Sequence, residues 1–94
     1  MSWKVINLTL NGSAQQISST RIPVQQVKIY NPAGNSDVYI GDASVSATDY
    51  AGLLDADDPP YDIGPFTAQG PVSLSEIYVL GTNNDVLHIG YVGH

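Results

Sequence analysis

Four of the nine acidic residues in this 94-residue chain, Asp55, Asp57, Asp58 and Asp62, fall in one short stretch, the first place to look for chemistry. Carboxylate oxygens suit Ca²⁺, which takes roughly six to eight of them. The stretch lacks the ordered alternation of an EF-hand loop, and Pro59-Pro60 stiffens it where a calcium loop needs to bend. We therefore read it as a solvated turn in preference to a cation site, and expect no metal and no cofactor. His88 sits between Leu87 and Ile89, and the other histidine is the terminal His94. A catalytic base needs an orienting acid and a nearby nucleophile, and neither is identifiable around His88. Serines are abundant, but none occupies a Gly-x-Ser-x-Gly elbow. The aspartates could supply a carboxylate pair for glycoside hydrolysis, yet so small a domain offers little cleft to hold one. The expectation is a protein that is not an enzyme, with no catalytic residues.

Aromatic residues are the other candidates. Trp3 and six tyrosines could form a sugar platform, but amphipathic rings on strands more often cap a core edge or fill an interface. Trp3, Tyr39, Tyr78, His88 and Tyr91 are the residues expected to meet a partner. Trp3 leads them, because large aromatics dominate interface energetics. A fold of Trp3 over its own domain end is the competing reading.

Composition bounds what those residues can serve. Ninety-four residues make one domain (1–94) with a modest core. The net charge is −6, and Lys4, Arg21 and Lys28 are too few and scattered to replace phosphate counterions, which argues against nucleic acid. Only 13% of residues are charged, about half the usual share, and Ser, Thr, Asn, Gln and Gly fill the difference. Such a surface is common in proteins that lie against other protein. There is no cysteine, so no disulfide framework and no thiolate metal site. Apolar runs are short and alternating, which predicts no membrane span. Met1-Ser2-Trp3-Lys4 lacks the features of a signal peptide, predicting synthesis in the cytosol.

The elements that must position these side chains read as strands throughout. Residues 77–92 look like a hairpin: Ile77 and Val79 face one way, Tyr78 and Leu80 the other. After the Asn83-Asn84 turn, Leu87, Ile89 and Tyr91 oppose Val86, His88, Gly90 and Val92. A two-residue turn pairs Leu80 with Leu87 and a five-residue loop pairs Leu80 with Val86; both remain open. Both faces are largely apolar, which predicts cover on each side. Trp3–Leu10 alternates, with Lys4, Ile6, Leu8 and Leu10 inward, and Asn11-Gly12 reads as a turn into a short polar edge strand, 14–18. From Ile22 to Tyr30 the apolar phase shifts, predicting a β-bulge near Gln25-Gln26, with Pro23 at the strand start. Asn31–Asn35 is a turn, and 36–40 is a returning strand. Residues 43–52 form a loop, and Leu53-Leu54 with 61–63 forms a strand pair closed by Gly64-Pro65-Phe66. Residues 67–69 are irregular, and Gly70-Pro71 opens an alternating segment through Ser75. No stretch keeps a helical period, so the fold is all-β: a single small β-sandwich or jelly-roll-like barrel of seven or eight short antiparallel strands.

In linear order, Val27-Lys28-Ile29-Tyr30-Asn31-Pro32, Val38-Tyr39-Ile40-Gly41-Asp42 with Val45-Ser46, Gly64-Pro65-Phe66, and Ile77-Tyr78-Val79-Leu80-Gly81-Thr82 before Leu87-His88-Ile89 resemble a group of small tailed-bacteriophage virion proteins. These phrases cover most of residues 24–92, and the acidic 55–60 turn departs from the Gly-containing turn usual in the group. Capsid decoration (cement) proteins are the nearest functional analogue. The resemblance implies a structural protein on the capsid exterior, made in the host cytoplasm, that binds between major capsid proteins and stabilises the shell. By analogy it is a homo-oligomer, with a homotrimer favoured. The alternatives are a tail- or fibre-associated receptor- or glycan-binding module and a minor tail or neck connector.

Overall fold

The computed structural model describes residues 3–64 and 72–93. The expected closure at Pro65-Phe66, the irregular 67–69, the Gly70-Pro71 start and His94 lie outside the described residues. Nine strands follow one another: β1 (Trp3–Thr9), β2 (Gln15–Gln16), β3 (Pro23–Tyr30), β4 (Val38–Gly41), β5 (Gly52–Leu54), β6 (Tyr61–Ile63), β7 (Val72–Ser73), β8 (Tyr78–Leu80) and β9 (Val86–Gly93). A 3₁₀ turn, Leu74–Glu76, separates β7 from β8. The strands build two antiparallel sheets. One has the order β1-β9-β3-β6, with β7 sharing β3's far edge, and the other the order β2-β8-β4-β5. The fold is therefore an all-β sandwich, with two strands of two residues each beyond the simplest count.

The pairing has a simple logic. Trp3 faces Val92, Gln16 faces Tyr78, Lys28 faces Asp62 and Tyr39 faces Leu53, each pair nearly symmetric about the loop at 42–51. The first half of the chain runs as one antiparallel ribbon against the second, and the ribbon is folded back and forth between the sheets. This is the winding of a jelly roll. β4 and β5 are the one pair of consecutive strands that form a hairpin among the described residues.

Four expected local pairs are accordingly corrected. The arms of the 77–92 segment do not pair: β8 joins β2 and β4, whereas β9 runs between β1 and β3. The chain at Asn11-Gly12 likewise crosses from one sheet to the other, and so do the chains joining β3 to β4 and β5 to β6. Leu53-Leu54 and 61–63 are strands, but in different sheets. The physical reason lies at the corners. Leu10 is buried and its Cδ1 would lie 2.5 Å from a Cβ on Gly81, so the two crossing chains pack side by side. They are joined by Leu10 N–H to Asp85 O at 2.8 Å and Asn84 N–H to Leu10 O at 2.9 Å. Burying Leu10 between the layers holds each chain open as an arch, where a tight turn would return it into its own sheet.

A second corner is organised by Asn31, which is fully buried. Its Nδ2 donates to Ser36 O at 2.9 Å and Leu54 O at 3.0 Å, while its Oδ1 accepts from Asn35 Nδ2 at 2.9 Å. Its backbone oxygen accepts from Asp57 N–H at 2.7 Å. One side chain thus satisfies backbone groups of both crossing chains, as burial of polar groups demands.

The strand core follows period-two alternation. Val27, Ile29, Leu87, Ile89 and Tyr91 from the first sheet meet Val38, Ile40, Leu54 and Val79 from the second. Val24 and Val27 both point inward although three residues apart, because the β3–β9 register shifts between Val24 and Gln26. That is the predicted bulge, and Pro23 opens the strand as predicted. The expected alternation through Ser75 stops after Ser73, whose buried Oγ accepts Ser75 N–H and Ile22 N–H and turns the chain into the 3₁₀ turn.

Candidate functional surface

Pairing fixes which side chains share each outer face. On the first sheet the rows run Trp3, Val92, Gln26; then Val5, Gly90, Lys28, Asp62; then Asn7, His88, Tyr30. β1 is the edge strand, seven residues long and with Lys4 as its one charge. Trp3 is 48% exposed and Val5 68%. The indole lies over Gly90, whose missing Cβ leaves flat backbone beneath it. Trp3 therefore lies along its own sheet yet keeps half its surface in water.

His88 is exposed in the next row. Its Nδ1 lies 2.7 Å from Asn7 Oδ1, and its ring stacks on Tyr30 at 6.3 Å between centroids. An amide oxygen only accepts, so Nδ1 is the donor of this pair. The Tyr30 hydroxyl is already committed, donating to Asp57 Oδ1 at 2.7 Å. That bond, with a smaller desolvation cost and the Asp57 charge, raises the phenol above its ordinary value. The face is an ordered polar chain, anchored by packing and hydrogen bonds.

On the second sheet the outer rows are Leu80, Tyr39, Leu53 and then Gln16, Tyr78, Gly41. Tyr39 and Tyr78 are half-buried, and Leu53 is 42% exposed. Tyr50, from the loop between β4 and β5, packs on Tyr39 with centroids 5.0 Å apart. Beside it a shallow depression of about 200 Å³ is lined by Gly41, Asp42, Asp49, Tyr50 and Ala51.

The five residues expected at an interface do not form one site. Trp3 and His88 share the outer face of the first sheet, and Tyr39 and Tyr78 that of the second. Tyr91 belongs to the core, 9% exposed, and is corrected to a packing residue: β9 points it inward with Leu87 and Ile89. The outward set of β9 is also less apolar than expected, since His88 is exposed and Gly90 has no side chain. Val5 was legible in the alternation it shares with Trp3. Tyr50 and Leu53 gave no signal, because their roles depend on the loop's path and on β4–β5 pairing.

The four acidic-loop carboxylates are divided among separate tasks. Asp57 has a positive φ of 62° and accepts from Tyr30; Asp58 Oδ2 accepts Asp55 N–H at 3.2 Å; Asp62 lies 3.5 Å from Lys28 Nζ. Asp55 sits beside Asp37, and sharing a hydrogen bond with that carboxyl, together with its charge, raises Asp55 above the usual carboxylate value. Among the described residues no group of three or more His, Cys, Asp or Glu is gathered as a metal would require. Comparison with protein-family models, with curated proteins and with solved structures finds no match to this chain.

Proposed function

We propose that this protein is a non-enzymatic structural protein of a tailed-phage particle, a capsid decoration subunit that binds between major capsid proteins. The observation that carries this reading is the Trp3–Val5 strip on a long strand whose outer edge pairs with no other strand among the described residues. Edge strands that stay solvated are usually short, highly charged or broken by proline or a bulge. β1 has one lysine, no proline, and two large apolar side chains in water. Covering them removes on the order of 200 Å² of apolar surface, roughly 5 kcal/mol before association costs are subtracted. The outer edge of β1, which pairs with no other strand among the described residues, adds main-chain hydrogen bonds available to an extended partner segment. Repeated over many copies, such a contact raises the work of separating neighbouring shell subunits. A homotrimer is the assembly favoured by analogy with other decoration proteins.

Co-sedimentation with particles stripped of the protein tests the docking strip. The wild-type chain pellets with the shells, whereas W3S/V5S stays in solution while keeping its melting transition. Equal binding by the folded double variant would remove the strip from the interface.

A further inference from the structure

The open edge of β1 is marked out by its own main chain. Leu10 N–H donates to Asp85 O and Leu10 O accepts from Asn84 N–H, so the backbone groups of Leu10 face the β9 side. Alternation then turns those of Lys4, Ile6 and Leu8 towards β9, and those of Trp3, Val5, Asn7 and Thr9 outwards. At Thr9 the edge is sealed. Gln15 Nε2 donates to Thr9 O at 3.2 Å and its Oε1 accepts Asn11 N–H at 2.8 Å, one amide standing where a next strand would pair. Among the described residues the outward groups left for pairing are therefore those of Trp3, Val5 and Asn7, a set symmetric about Val5.

The charges leave the same edge approachable. All nine acidic residues stand at Asp37 or later, and β1 and β9 together carry Lys4 as their one Lys, Arg, Asp or Glu. Two copies of a chain with net charge −6 repel one another, and that repulsion is weakest where no carboxylate stands. On the inner face of β1, Ile6 and Leu8 are only partly buried, so the core is incompletely covered along this edge.

We infer that the occupant of this edge is β1 of a second copy, run antiparallel about a two-fold axis at Val5. A two-fold contact needs a self-complementary patch, and the open edge is one. Trp3 pairs with Asn7 of the second copy and Val5 with its own counterpart, and each pair exchanges both its N–H···O bonds. Lys4 falls opposite Ile6 of the second copy, where its methylene stem covers apolar surface while the ammonium stays in water. No like charges stand directly opposed. A foreign strand would gain from every further open residue, which the Gln15 seal withholds; the symmetric remainder fits a copy of itself. The two first sheets become one continuous sheet, with both Trp3–Val5 strips on the same outer face and joined at Val5. A closed pair of this kind goes beyond the docking proposal. It fills the edge of β1, leaves the joined strips open to a shell, and favours two-fold order where analogy favours three.

Sedimentation equilibrium of the intact chain, with cysteine cross-linking, tests the pair independently of capsids. The mass rises from 10.0 kDa towards double, with a Kd of roughly 10–100 µM, the weak range of a small interface. Val5→Lys sets two ammonium groups face to face across the axis and weakens the pair at least about tenfold, with the fold kept by circular dichroism. The chain has no cysteine, so Val5→Cys carries a single thiol per copy. Opposed Cα atoms about 5.5 Å apart lie within disulfide range, and oxidised glutathione links Val5→Cys into a covalent dimer. Asn7→Cys lies about 13 Å from its counterpart and links at least about tenfold more slowly. A chain that stays at 10.0 kDa up to about 1 mM, a mass of three copies, or equal cross-linking of both variants would overturn the pairing. Binding of shells by a strictly monomeric chain would remove this pairing and keep the docking proposal.

Discussion

Asn31→Ala should be the most damaging single truncation of a polar side chain in this domain. The side chain is fully buried and makes three hydrogen bonds, two to carbonyls of different crossing chains and one from Asn35. Each bond contributes about 1 kcal/mol net, and the desolvation of buried polar groups that lose Asn31 as a partner, Leu54 O and Asn35 Nδ2 among them, adds about 1–3 kcal/mol. The expected loss is about 3–5 kcal/mol, against a total of roughly 5–15 kcal/mol for a domain of this kind. With a urea m-value of about 1 kcal/mol/M, the midpoint falls by about 3 M or more. Asn31→Asp separates hydrogen bonding from shape. It keeps the volume but aims a carboxylate at two carbonyls, and burial raises the introduced carboxyl's pKa in the folded state. A folded-state pKa above the unfolded one contributes stability in acid that is lost as pH rises. N31D should therefore approach wild type below the ordinary aspartate value and fall away towards neutral pH. Equilibrium unfolding at both pH extremes reads this directly. An N31A loss under about 0.5 kcal/mol, or a pH-independent N31D deficit, would refute the corner's assigned role.

Two further outcomes follow from specific contacts. A Cβ on Gly52 would lie 2.5–2.7 Å from the ring end of Tyr61 on the facing sheet, so Gly52→Ala must displace that ring and cost about 1–3 kcal/mol by chemical denaturation. Asp55 is raised by its hydrogen bond to Asp37 and by the Asp37 charge, so its contribution to stability is present in acid and fades as pH climbs through the folded-state value. Asp37→Asn removes the neighbouring charge, and thermal melts should show it gaining on wild type as pH rises above the unfolded aspartate range, with little difference in acid.

What was legible in the chain was whatever short-range alternation encodes. The inward set of β9, the bulge in β3, Pro23 at a strand start and the opposition of Val38 and Ile40 to Tyr39 all follow from steric period and phase. Strand partnership did not, because it is a long-range choice. Asn11-Gly12 and Asn83-Asn84 have the turn chemistry of hairpins, and Gly12 and Asn84 do take positive φ. The same chemistry serves two arches laid side by side once Leu10 has a glycine, Gly81, to pack on. Nothing local distinguishes those outcomes. The surface suffered in the same way: the outward side of β1, with Trp3 and Val5, follows from alternation, while Tyr50 and Leu53 became neighbours of Tyr39 only through the β4–β5 pairing. Tyr91 was misassigned because an apolar strand face looks alike whether it meets a core or a partner.

We propose that this domain is covered by other protein, in many copies, on a capsid. Quantitative mass spectrometry of purified particles from the source that encodes the chain tests it most directly. A decoration subunit should be present in hundreds of copies per particle, in simple proportion to the major capsid protein. Absence from the particles, or a handful of copies accompanying the tail, would contradict it.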